Sequence, residues 1–231
     1  MLRNLVRSHT CPFWWYDDHS PIGSSILHNG TVTFVNTGST VLGITANHVY
    51  EEYLKDKAND PATKCQIGSV TVEPERYVVS TDSELDIATF DLPTILLTAT
   101  GVTVHNAPTW PPEDLRVSDL VILGGYPGLR RAERVGVAEF DFVTFVSRID
   151  QCSNDHVSVY LNMPESYWPQ SESVGDRPDL GGASGGPVFR LRTEPIETLE
   201  LAGMIYESNR DFELIFARHA SHVSSKGLVQ S

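Results

Sequence analysis

Short runs in which apolar and polar residues alternate fill most of the chain from Ile22 onward, and Gly, Asn, Asp, Ser and Pro gather between the runs. A period of two marks strands with one buried face, and the intervening residues mark turns. The pattern predicts strands over residues 22–28, 31–36 and 41–46, with Asn29-Gly30 as a hairpin turn between the first two. Then the period changes. Residues 47–57 read as a short helix with an Asn start signal, so His48 stands where a strand becomes a helix. Strands return over 65–72 and 76–80, a polar turn at Ser83 leads into an alternating run that Asp86 begins, and 94–105 is a further apolar strand region.

Residues 106–113, with Pro108, Pro111 and Pro112, form a linker. Beyond it the pattern predicts a strand over 118–123, a hairpin of 136–148 and 156–163, a long polar loop over 164–179, and strands over 188–192, 199–207 and 212–216. Residues 219–223 start a closing helix, and the tail from Ser224 frays. Residues 1–20 read as irregular, an arm that packs Trp14, Trp15 and Tyr16 on the core; with Asp17, Asp18 and His19 beside them, a metal or partner site is the other reading. Many short strands and no internal repeat suggest an all-β barrel or sandwich in two similar halves.

Composition narrows the function classes. With 231 residues and 40% of them hydrophobic, the chain can bury a sizeable core. A net charge of -13 argues against a nucleic-acid surface, which needs a basic stripe, and against an anionic membrane surface. No apolar run approaches the ~20 residues of a membrane-spanning helix. The basic start of the chain lacks the apolar stretch of a signal peptide, so the expectation is a cytoplasmic protein or a segment excised from a longer chain. Cys11, Cys65 and Cys152, odd in number and widely spaced, read as free thiols in a reducing compartment. The absence of CxxC and HExxH patterns leaves zinc without support.

The chemistry concentrates in residues 180–188, Leu-Gly-Gly-Ala-Ser-Gly-Gly-Pro-Val, where glycine pairs flank Ser184. Such a stretch suits a sharp turn that presents a hydroxyl beside free N–H groups, as a serine nucleophile with an oxyanion hole requires. A serine needs a base, and imidazole titrates near neutrality. Of the eight histidines, His48 alone has a distinctive setting; His9, His19, His28, His105, His156, His219 and His222 read as surface or structural.

Three segments together carry a resemblance. Ile44-Thr45-Ala46-Asn47-His48-Val49, Leu85-Asp86-Ile87-Ala88 and Gly182-Ala183-Ser184-Gly185-Gly186-Pro187 resemble, in that order, the histidine, aspartate and nucleophile motifs of the trypsin-like (chymotrypsin-fold) serine peptidases. Ser118-Asp119-Leu120-Val121 with Gly125-Tyr126-Pro127, and Leu201-Ala202-Gly203-Met204-Ile205, are similar to further strands of that family. The resemblance implies an all-β fold of two six-stranded antiparallel barrels, with a short helix after His48 and a C-terminal helix. An arm over 1–21 would precede a first barrel over 22–106 carrying His48 and Asp86, and a second barrel and tail over 107–231 would carry Ser184. It implies a serine endopeptidase that needs no cofactor: Ser184 as nucleophile, His48 as base, Asp86 as its orienting acid (rather than Asp82 or Asp91), and the N–H groups of Gly182 and Ser184 as the oxyanion hole.

Two departures point toward bacterial or viral intracellular members. Ala183 stands where secreted members carry an aspartate that pairs with a newly cut N-terminus, so activation by that ion pair is not expected. Val49 stands where many of them carry a disulfide cysteine. By family position Pro178, Ile205, Tyr206, Glu207 and Ser208 would bind substrate, and Arg210 would favour an acidic residue. The expected partner is a protein or peptide substrate, with a regulatory protein as a further partner, and neither nucleic acid nor membrane. A peptidase fold without turnover that binds peptides, and a peptidase segment of a viral polyprotein, are the alternatives.

Overall fold

The computed structural model describes residues 2–19, 27–134, 137–161, 180–192, 198–209 and 211–230. It is an all-β molecule of the chymotrypsin-like double-barrel type, built from two β-units.

The first half begins with helix α1 (Leu2–Ser8) and strands β1 (Thr10–Asp17), β2 (Leu27–Asn36) and β3 (Val41–Thr45). Helix α2 (Asn47–Asn59) follows, then β4 (Thr63–Ile67), β5 (Val70–Val72), β6 (Val78–Asp82), β7 (Ile87–Phe90), helix α3 (Thr94–Thr100) and β8 (His105–Asn106). These strands form one eight-stranded sheet in the order β5-β4-β1-β2-β3-β7-β6, with β8 parallel to β2. The first half is therefore an extended curved sheet where the sequence implied a six-stranded barrel.

The second half does close. Its strands are β9 (Leu120–Gly125), β10 (Arg131–Arg134), β11 (Val137–Phe140), β12 (Val143–Cys152), β13 (His156–Tyr160), β14 (Pro187–Arg192), β15 (Thr198–Asn209) and β16 (Leu214–His219). Six of them make a closed barrel, β12-β13-β16-β15-β14-β9, and β10-β11 is a separate hairpin.

Strand β2 is the hinge of this arrangement because it is buried on both faces. Val32 and Phe34 point into the first core with Phe13, Trp15, Tyr53 and Phe90. Thr31 and Thr33, equally buried, point the other way and hydrogen-bond to the backbone of the second half. A face that meets backbone carbonyls needs a small donor on a strand-compatible residue, and threonine supplies both.

Several local expectations are corrected. Residues 1–20 are not an irregular arm: β1 is an interior strand between β2 and β4. Asn29-Gly30 is not a turn, since Asn29 pairs with Trp14 and Gly30 with Phe13 inside the β1–β2 ladder. Glycine is required there because a Cβ would lie 2.5 Å from the Val49 side chain of α2. Residues 94–100 form a helix where a strand was expected; Pro93 precedes it, and Gly101 stops it in the left-handed region at φ +71. The predicted strand over 136–148 is divided between β11 and the start of β12, whereas the β12–β13 hairpin forms as expected. The closing helix is one turn of 3₁₀ helix, Ala220–His222.

Nor is the tail frayed. The Thr37 and Thr89 hydroxyls donate to the carbonyls of Ser225 (2.7 Å) and Gly227 (2.6 Å), and the Val229 N–H donates to Ser80 Oγ (3.2 Å). The two ends of the chain are thus exchanged. Residues 223–230 lie on the first sheet, whereas α1 serves the second half: Arg3 bonds to the Phe142 carbonyl and the Asp141 carboxylate, and Val6 packs with Ile122, Phe142 and Phe189. Among the described residues no helix is long and apolar enough to cross a membrane. Cys11, Cys65 and Cys152 are free.

Candidate active site

His48 is placed by the start of α2. Ala46 is extended and Asn47 opens the helix. Asp86, in the turn before β7, is bound to this helix start through three contacts: its carbonyl accepts the Asn47 N–H (3.1 Å), Oδ1 accepts the His48 N–H (2.8 Å), and Oδ2 lies 2.7 Å from His48 Nδ1. One carboxylate therefore caps the helix, where backbone N–H groups and the dipole favour negative charge, and also orients the ring. Asp86 sits at φ +54, and aspartate is one of the few residue types with a Cβ that visits this region. With Nδ1–H directed to the carboxylate, Nε2 is left for a second partner. The hydrogen bond that His48 donates to Asp86 holds the His48 pKa above the ordinary 6.5 against the opposing effect of burial, helped by the charges of Asp86, Glu52 and Glu51.

The rival acids do other work. Asp82 Oδ1 accepts the N–H groups of Glu84 and Leu85 (2.9 and 2.8 Å), which shapes the turn ahead of Asp86, and Asp91 is exposed beyond β7.

Ser184 lies in the second of two consecutive tight turns, closed by Ala183 N–H to Leu180 carbonyl and by Gly186 N–H to Ala183 carbonyl, both 2.8 Å. Gly182 (φ +95) and Gly185 (φ +87) adopt conformations that residues with a Cβ rarely take, and a Cβ on Gly185 would collide with the Thr31 carbonyl oxygen. The loop is wedged against the first half. Its Ser184 carbonyl accepts the Thr31 N–H (2.8 Å), and Thr45, three residues before His48, donates its hydroxyl to the Thr31 carbonyl (2.6 Å). Among the described residues, no acceptor takes the N–H of Gly182 or of Ser184, whereas those of Ala183 and Gly185 are bonded. The Ser184 hydroxyl donates to the Tyr206 carbonyl at 3.3 Å.

Of the residues expected to bind substrate, Ile205 is buried and exchanges hydrogen bonds with the Ser184 loop (Gly185 N–H to its carbonyl, 2.7 Å; its N–H to the Gly186 carbonyl, 2.8 Å). Tyr206 sits at a bulge in β15, where the register with β16 shifts between Ile205 and Glu207. Glu207 and Ser208 follow on the accessible part of the strand. Pro178, Arg210 and the polar loop over 164–179 lie outside the described residues.

Sequence reasoning missed Thr31, Thr33, Thr45 and Asn29, which brace the loop from the first half, and Arg218. The Arg218 guanidinium lies 4.3 Å from the Tyr206 ring centroid, and its Nη2 donates to the Glu84 carbonyl (2.8 Å). Threonines at alternate positions of an otherwise apolar buried strand were the one available signal. At the opposite end of α2 from His48, the metal-ligating atoms of Asp17, His19 and Asp60 lie within 4.8 Å of one another, with the His19 ring 3.5 Å from the Asp60 carboxylate.

No family model matches this chain, and no curated protein matches it in sequence. Solved structures do resemble it in shape. The thermostable serine protease AL20 from an extremophilic microorganism is 12% identical, with 93% of this chain and 92% of that one covered, at a TM-score of 0.49. A catalytically inactive tobacco etch virus protease complexed with substrate is 8% identical, with 92% and 78% covered, at 0.48. A Glu endopeptidase in complex with MPD is 11% identical, with 90% and 84% covered, at 0.46. At these values the likeness carries no argument about activity, and the fold assignment rests on the chain's own strand order.

Proposed function

We propose that this chain is a serine endopeptidase of the trypsin-like kind, with Ser184, His48 and Asp86 as its triad. The observation that carries the reading is the Asp86 carboxylate clasping both the ring and the backbone N–H of His48, beside a glycine-flanked serine whose own N–H, like that of Gly182, has no acceptor among the described residues. His48 Nε2 takes the proton of Ser184 Oγ as the oxygen bonds to the substrate carbonyl carbon. The resulting oxyanion lies on the N–H groups of Gly182 and Ser184. The imidazolium then passes its proton to the amide nitrogen, the C–N bond breaks, and an acyl-serine remains. Water, deprotonated by His48, attacks the ester carbon; the carbon–Oγ bond breaks, the acid leaves, and His48 returns the proton to Ser184 Oγ. Asp86 holds the ring and its cation throughout. The substrate adds as a strand along Tyr206–Ser208, so the partner is a peptide or an exposed protein segment.

One observation favours a second reading, a peptide-binding module without turnover: the Ser184 hydroxyl is directed to the Tyr206 carbonyl. A single experiment separates the two. Under the peptidase reading a fluorophosphonate probe labels the wild type at Ser184, and Ser184→Ala abolishes labelling and lowers kcat on the order of 10⁶-fold. An unlabelled wild type that still binds extended peptides establishes the module, and equal turnover by wild type and Ser184→Ala removes Ser184 from the chemistry.

A further inference from the structure

With Ala183 in place, no acidic side chain at that position can lock the oxyanion loop, so something else must fix its peptides. We infer that Thr31 is the positioning residue that does so, with Asn29 as its brace, and that the loop is held in working shape by the first half of the molecule itself. This inference rests on the serine-peptidase reading.

An oxyanion hole depends on which way three successive peptide units point, because each unit directs its N–H opposite to its carbonyl. The two units whose N–H groups meet no acceptor among the described residues are Gly181–Gly182 and Ala183–Ser184. Their carbonyls are held from outside the cleft, that of Gly181 by the Gly128 N–H (2.6 Å) and that of Ala183 by the Gly186 N–H (2.8 Å). The unit between them, Gly182–Ala183, is fixed at both ends. Its N–H goes to the Leu180 carbonyl (2.8 Å), and its carbonyl accepts the Thr31 hydroxyl (3.0 Å). Rotating any of the three units breaks one of these bonds, and Gly182, free of a Cβ, is where such a rotation would otherwise be easiest.

Thr31 is suited to this task. Its hydroxyl accepts the Tyr126 N–H (3.0 Å), so its single hydrogen is committed to the Gly182 carbonyl. Its own N–H and carbonyl are bonded to Ser184 and Thr45. The residue is 0% exposed, so water cannot replace a lost bond. Asn29 supports the other anchor. Its Nδ2 donates to the Tyr126 carbonyl (2.7 Å), two residues before Gly128, and its Oδ1 accepts Arg131 Nη1 (2.9 Å). Asn29 Nδ2 also lies 2.5 Å from where a Cβ on Gly182 would stand, which closes the space into which the loop could relax.

The test compares Thr31→Val with Thr31→Ser in the full chain, each checked for folding by circular dichroism. Thr31→Val, near-isosteric but without the donor, is expected to lower kcat about 100-fold, the scale of losing one oxyanion donor. KM and the acid limb of the pH profile stay unchanged, because the β15 strand and the His48–Asp86 pair are untouched. Fluorophosphonate labelling slows in parallel, and Thr31→Ser restores the rate. If Thr31→Val does not fold, Asn29→Ala supplies the measurement, with a roughly 10-fold lower kcat at constant KM, in keeping with its indirect role through Gly128. Wild-type kcat in Thr31→Val (or in Asn29→Ala where it stands in), a change confined to KM, or equal impairment of Thr31→Ser overturns the inference while leaving the peptidase reading intact. An inactive, unlabelled wild type overturns the peptidase reading, and this inference with it.

Discussion

Asp86 does two jobs with one carboxylate, and their consequences separate by pH. Because the hydrogen bond to Asp86 raises the His48 pKa above 6.5, the neutral base becomes abundant only on the alkaline side of that value. The acid limb of kcat/KM is therefore expected above pH 6.5, and activity falls as His48 protonates. Stability runs the other way. A raised folded-state pKa contributes stability that is complete below 6.5 and is lost as pH rises through the higher value. Asp86→Asn should cost about 10⁴ in kcat, the loss that this substitution causes in trypsin-like enzymes, and should move the acid limb downward. Stopped-flow or initial-rate profiles across pH check both; a limb that stays in place would show that Asp86 does not face the base. The proposed triad residues could be picked out in the sequence because such chemistry demands particular residue types at the ends of rigid elements. Thr31 could not, because a hydroxyl on a β-branched residue reads first as strand propensity and reveals its partner only when the chains meet.

At the level of elements, the sequence pattern found most strands, including the mostly buried β2, β3, β7 and β9, and failed at β1 and at residues 94–100. Strand β1 presents Phe13, Trp14 and Trp15 in succession, all buried, so alternation disappears. The run Thr94–Thr100 carries apolar residues compatible with either state, and its flanking Pro93 and Gly101 decide for helix. Strands β14 and β15 show a third case, charge within the interior. Arg190 is nearly fully buried and directs Nε and Nη2 to Glu200 Oε2 (2.9 and 2.7 Å) and Nη1 to Asp119 Oδ2 (3.2 Å), and it also donates to the Glu113 and Asp114 carbonyls. The pair thus fastens the barrel to the linker. Removing one partner of a buried pair leaves the other uncompensated, so Arg190→Met should lower the unfolding free energy by about 3 kcal/mol in urea titrations. A joint Arg190→Met, Glu200→Leu replacement should recover most of it. An unchanged midpoint in the single variant would show that Arg192, also bonded to Glu200 at 3.0 Å, suffices.

Across the whole molecule the many short strands pointed to a barrel or sandwich, and the closed second barrel was implied by the resemblance of the segments around His48, Asp86 and Ser184. The contacts between the halves could not be read, since they join residues remote in sequence. His9 and His105 of the first half meet edge-on at 5.2 Å between ring centroids, and both pack against Phe189 of the second, His9 tilted at 5.8 Å and His105 edge-on at 4.9 Å. Burial, aided by the charge of His9 and opposed by Glu200, pushes the His105 pKa down to about 4, and its Nε2 has no hydrogen-bond partner among the described residues. A depressed folded-state pKa gives stability that is present above 6.5 and is lost as pH falls toward 4, on the order of 3 kcal/mol in full. His105→Phe should flatten that acid loss in melting curves taken between pH 7 and pH 4; an unaltered slope would place the acid sensitivity elsewhere.

The exchanged ends have a consequence in time. During translation the first sheet leaves the ribosome well before residues 223–230, the segment that seals its Leu42–Thr89 side, and α1 must wait for β9 and β12 to be made. Early-made and late-made segments each finish the other's half. A nascent chain therefore cannot complete either half in turn, and assembly of the seam that holds Ser184 against Thr31 is a late event, reserved for a chain whose synthesis has run through both.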